Sequence, residues 1–88
     1  MTPTDVSQWM VQMLERDGCL YQDDVVDYLV KNSSDELLRE NVDGNQVLAK
    51  QVLDAFLTKT KDSVVWVKPD FYWRWRVAED EPGRNARG

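Results

Sequence analysis

Histidine is absent from the 88 residues, cysteine occurs once, and no apolar run approaches the roughly 20 residues that a membrane-spanning helix needs. Without histidine the chain lacks the usual general base near neutral pH and the commonest metal ligand. A Cys19 nucleophile would therefore stand without its ordinary activator. One cysteine closes no internal disulfide, which agrees with a reducing compartment. The first fifteen residues have no basic start, carry Asp5 and Glu15 and alternate polar with apolar, so no secretory leader is read there. A cytoplasmic protein is expected, with no membrane partner.

Positive charge is also in short supply. Eleven Lys/Arg stand against sixteen Asp/Glu, a net charge of −5, which disfavours a generic nucleic-acid binder. The balance is uneven along the chain. Residues 1–44 hold ten acids and three bases, residues 45–77 hold three acids and six bases, and the remainder holds three acids and two bases. An acidic front and a mildly basic back suggest an oriented partner surface or attraction between copies.

What the chain has is tryptophan, and three of its four lie in Ser63–Val77, SVVWVKPDFYWRWRV. Val64–Val67 and most of Phe71–Val77 are β-branched or aromatic, which suits two strands. Lys68-Pro69-Asp70-Phe71 between them has the chemistry of a type I turn. Period-2 alternation places Phe71, Trp73, Trp75 and Val77 on one face and Tyr72, Arg74 and Arg76 on the other. A lone hairpin is marginal in water, so the aromatic face needs helices against it.

Those helices precede it. Val6, Trp9, Met10, Met13 and Leu14 recur at helical spacing over about Thr4–Arg16, with Thr2 or Thr4 as N-cap and Gly18 as terminator. Cys19-Leu20-Tyr21 reads as a short strand. Asp23 caps an expected helix to Lys31, with Val25, Val26, Leu29 and Val30 inward. The capping-box spacing of Ser33 and Glu36 predicts a third, two-turn helix carrying Leu37 and Leu38. Asn45 is then expected to cap a helix over Gln46–Lys59, whose stripe is Leu48, Val52, Ala55 and Phe56, widened by Val47, Leu53 and Leu57. Residues 1–77 form one expected domain. Residues 78–88, with one Pro, two Gly and almost nothing apolar, form an expected disordered tail.

In this element order the chain resembles a winged-helix domain, with Cys19–Tyr21 as the strand that joins the C-terminal hairpin. The implied fold is α+β and winged-helix-like: three to four helices, and a β-hairpin joined by a short strand into a small antiparallel sheet. A closer likeness is to small uncharacterised bacterial proteins, some encoded on mobile gene cassettes. They share an N-terminal tryptophan helix, a second element matching Asp17, Gly18, Leu20, Val26, Tyr28 and Leu29, and a hairpin matching Val64, Val65, Trp66 and Trp73–Arg76. That resemblance implies a fold and brings no activity with it.

Two binding readings follow. Trp66, Trp73 and Trp75 cannot all be fully buried in so small a core, since a chain of this size buries roughly two-thirds of its unfolded surface. Any tryptophan left in water marks an interface. A protein partner, or a second copy, is thus expected on Trp66, Tyr72, Trp73, Arg74, Trp75 and Arg76. The alternative, which the winged-helix resemblance implies, is nucleic acid, with the Gln46–Lys59 helix in the major groove and Lys68-Pro69-Asp70 as the wing. Its contacts would be Asn45, Gln46, Lys50, Lys59, Lys61, Lys68, Arg74 and Arg76, with Asp54 and Asp70 facing phosphate unfavourably. Catalysis and cofactors are not expected. Asp23, Asp24 and Asp27 are explained by the dipole of a helix start. The loop at Asn41–Asn45 fails as a calcium site, because Arg39 stands five before Gly44 and Lys50 six after it.

Overall fold

The computed structural model describes residues 1–80, 83, 85 and 86. Helix α1 (Pro3–Asp17) starts where Thr2 and Asp5 exchange side-chain-to-backbone hydrogen bonds, both 3.1 Å, with Pro3 in the first turn. Val6, Met10 and Leu14 are fully buried on one stripe. Gly18 ends the helix at φ 81°, its amide donating to the Leu14 carbonyl. Strand β1 (Cys19–Tyr21) follows at once, then α2 (Gln22–Lys31), which buries Val25 and Leu29. Asp23 sits in the first turn of α2, and Tyr21 is the cap residue without a side-chain cap bond.

The next segment differs from the expectation. In place of a third two-turn helix there is one 3-10 turn, Asp35–Leu37, followed by strand β2 (Leu38–Glu40). Ser33 is no cap: it takes a left-handed φ of 54°. In place of the front of the Gln46–Lys59 helix there is strand β3 (Gln46–Leu48), antiparallel to β2 with Arg39 opposite Val47. The turn between them is built by Asn41, whose Oδ1 accepts from the amides of Asp43 and Asn45 at 2.9 and 3.0 Å, with Gly44 at φ 80°. Asn45 therefore belongs to a hairpin and caps nothing. Helix α3 (Lys50–Thr60) begins after Ala49, burying Val52, Phe56 and Thr60.

Strands β4 (Val64–Val67) and β5 (Tyr72–Trp75) form the expected hairpin around a 3-10 turn, Lys68–Asp70. Phe71 closes that turn in the left-handed region, φ 55°. β1 pairs antiparallel with β5, and β6 (Asn85–Ala86) pairs parallel with the free side of β4, giving the order β1-β5-β4-β6. The protein is thus α+β, with three α-helices among the described residues and a small, mainly antiparallel sheet. The expectation of a disordered tail over 78–88 falls partly outside the described residues. Of those described, Asp80 is hydrogen-bonded to the sheet and 85–86 lie along β4.

The core is the layer between helices and sheet: Val6, Met10, Leu14, Leu20, Val25, Leu29, Leu37, Leu48, Val52, Phe56, Val64 and Trp73. Each large side chain taken from water there stabilises by about 1.5–3 kcal/mol. Cross-strand register sets the faces. Leu20, Trp73 and Trp66 share the helix side, while Cys19, Arg74 and Val65 share the far side. No described helix is long and apolar enough to cross a membrane.

Candidate functional site

The hairpin distributes its tryptophans unequally. Trp73, 4% exposed, is a core residue whose ring meets Phe56 edge-on at 5.3 Å. Trp75 is half-buried, and its indole Nε1 donates to the Leu14 carbonyl at 3.3 Å, tying the strand to α1. Trp66 is half-buried as well. It lies against Trp73 at 4.7 Å between centroids and against the exposed Phe71 at 6.1 Å.

Opposite Trp66, α3 presents Leu53 and Leu57. They sit outside the stripe that packs inward: Leu53 is half-buried and Leu57 is 41% exposed. Together these elements enclose a trough of about 310 Å³ with Phe56 and Trp73 at its base and Gln22 and Asp54 on its rim. Its lining is mainly apolar, with a few polar groups to orient a ligand, which is the composition of binding clefts. Leu53 packs against the core as its place beside the helical stripe predicts, whereas Leu57 and Phe71, both expected to face inward, are exposed. The off-stripe i, i+4 spacing of Leu53 and Leu57 on the helix is the signal for this wall.

The arginines are used internally. Arg74 donates through both terminal nitrogens to the carboxylate of Asp80, at 2.8 and 3.0 Å, and also to the Trp75 carbonyl. Those hydrogen bonds, then the Val77 amide, draw the Asp80 carboxyl down to about 2. Arg76 donates to the carbonyls of Asp62 and Gly83. Tyr72 lies beside Tyr21, 5.0 Å between rings, on the far face. Of the six expected interface residues, then, Trp66 borders the trough, Trp73 floors it, and Tyr72, Arg74, Trp75 and Arg76 lie elsewhere.

The expected nucleic-acid contacts do not converge. Asn45 and Gln46 line a second, polar trough beside the β2–β3 hairpin. Lys50 is ion-paired with Asp54 at 2.8 Å. Lys59 lines a shallow groove against α1, Lys61 precedes β4, and Lys68 follows it.

A third groove runs between α1 and α2, where Trp9 and Tyr28 stack face to face at 3.8 Å and 6°. The Arg16–Asp17 and Lys31–Asp27 pairs lie along its edges, beside Asp24. Cys19 there is half-buried and free. Among the described residues no group of three His, Cys, Asp or Glu side chains is placed to hold a metal ion.

No curated protein and no solved structure matches this chain. A family model matches residues 2–75, which include every side chain of the trough and stop short of Asp80, and the chain belongs to that family of unknown function, DUF6953.

Proposed function

We propose that this chain is a non-enzymatic, cytoplasmic protein-binding module on a winged-helix-type framework, taking its partner in the trough between α3 and the β4–β5 hairpin. The framework reading is supported by the strand order β1-β5-β4, with β1 drawn from the segment after the first helix. The binding reading is carried by one observation: Leu53, Leu57 and Trp66 leave a mainly apolar trough of about 310 Å³ open at the surface. Water is expelled from such a surface when a partner covers it, and tryptophan is the residue that most often dominates the energy of contact.

In the nucleic-acid reading α3 would enter the major groove, with Lys68-Pro69-Asp70 as the wing. Here the wall that α3 gives the trough carries Asp54, and Lys50 is already paired with it. Phosphate would meet no unpaired cation along that wall. Two copies, each of net charge −5, also repel at long range.

Affinity capture from the native host with three baits tests the proposal: wild type, Leu57→Lys, and Val30→Lys, the last altering an exposed apolar residue of α2. A protein recovered by wild type and Val30→Lys and lost with Leu57→Lys is expected. Identical recovery with all three contradicts the proposal. Titration with duplex and single-stranded DNA at ~50 mM salt is expected to give no binding, and a salt-steep shift would favour nucleic acid instead.

A further inference from the structure

Resting on that reading of the trough, we infer that its partner is a protein segment carrying one large apolar side chain with lysine or arginine close beside it, held across two adjoining troughs. The second trough, about 610 Å³, lies between α2 and the β2–β3 hairpin. Gln22 lines both, and Phe71, which borders the second, touches Trp66 of the first. The two therefore adjoin, with Gln22 and Phe71 as the saddle between them.

The two ends differ in chemistry. The first is walled by Leu53, Leu57 and Trp66, with its one carboxylate, Asp54, paired to Lys50; the second carries Asp23 and Asp43 among side-chain amides, with Val26 and Val47 also in its lining. Neither carboxylate is ion-paired among the described residues, and no lysine or arginine lines either trough. An apolar anchor at one end and a cation at the other satisfy both.

The saddle residue is itself unusual. Phe71 is 56% exposed and holds φ 55°, a region that aromatic side chains seldom adopt, and its carbonyl accepts the Gln22 amide at 2.9 Å. A bulky apolar side chain kept in an unfavourable conformation, in water, at the junction of two troughs marks a contact residue. A second copy is the poorer occupant. The tryptophan-flanking arginines, Arg74 and Arg76, are hydrogen-bonded within the chain.

The test is to pan a phage-displayed library of random dodecapeptides on the full chain, then measure the enriched peptides by fluorescence anisotropy. The expected peptides share one Leu, Phe or Trp with Lys or Arg within a few residues. Their affinity should fall at least about tenfold with Leu57→Lys. It should fall several-fold with the double variant Asp23→Asn/Asp43→Asn, and again between ~50 and ~200 mM salt. Leu57→Ser serves if Leu57→Lys fails a circular-dichroism melt. Peptides that need Leu57 but carry no base, and ignore salt and the double variant, overturn this inference and leave the trough reading standing. Enriched peptides indifferent to Leu57, or no enrichment, overturn both.

Discussion

Arg74 and Asp80 face each other in a two-pronged pair, Nη1 to Oδ2 and Nη2 to Oδ1, with the arginine side chain 24% and the aspartate 9% exposed. The same carboxylate accepts the Val77 amide at 2.8 Å, so one side chain both turns the chain after β5 and occupies the guanidinium. An arginine that reads as an outward hook is a clasp for the chain's own continuation.

That clasp predicts a pH dependence. The Asp80 carboxyl titrates at about 2 in the folded chain, against about 3.9 for an unfolded aspartate. The folded pKa is the lower, so protons favour the unfolded state. The stabilisation is complete above the unfolded value and is lost as pH falls through about 2. Urea unfolding of wild type and Asp80→Asn should differ at pH 7 and converge toward pH 2. A constant difference across that range would contradict the clasp.

Trp73 is the floor of the trough and part of the core, so its loss is predicted to act on stability first. Trp73→Ala should remove about 3–5 kcal/mol, the range for deleting a buried large aromatic. Denaturant midpoints at constant slope measure it. A loss below about 1 kcal/mol would mean that the ring is not packed against Phe56 as described.

Phe71 is predicted to behave in the opposite way. Asparagine tolerates the left-handed region better than phenylalanine, so Phe71→Asn should leave stability within about 1 kcal/mol of wild type or raise it. Partner binding should weaken at the same time. Destabilisation without a binding change would show that Phe71 serves the fold alone.

At Gly18 an added Cβ meets nothing within 4 Å, so only the backbone resists substitution. Gly18→Ala is predicted to destabilise by about 1–2 kcal/mol through the positive φ, measured by thermal melting.

The elements that were readable in the sequence are those with strong local signals. Thr2, Pro3 and Gly18 bracket α1, and Cys19–Tyr21 is too short for a helix yet too apolar for a loop. The Val64–Trp75 stretch is β-branched and aromatic around Pro69. The β2–β3 hairpin was obscured because Leu38, Val47 and Leu48 also fit a helical stripe. The deciding feature was Asn41, whose side chain folds the Asp43-Gly44 turn, and a turn signal outranks three apolar residues. The candidate site was half legible. Tryptophan content pointed to the hairpin, but which ring stays open depends on how α3 lies over it, and alternation does not carry that. Alternation places Arg74 on the outward face, but its partner, Asp80, stands beyond the end of the strand, in a segment whose composition alone predicts no structure.

A photo-reactive benzoylphenylalanine placed at Leu57, with a second placed at Val30 for comparison, tests the trough most directly when irradiated in living host cells. A discrete protein adduct is expected from Leu57 that Val30 does not give and that Trp66→Ala abolishes. Equal labelling from both positions, or an adduct indifferent to Trp66, would contradict the trough reading.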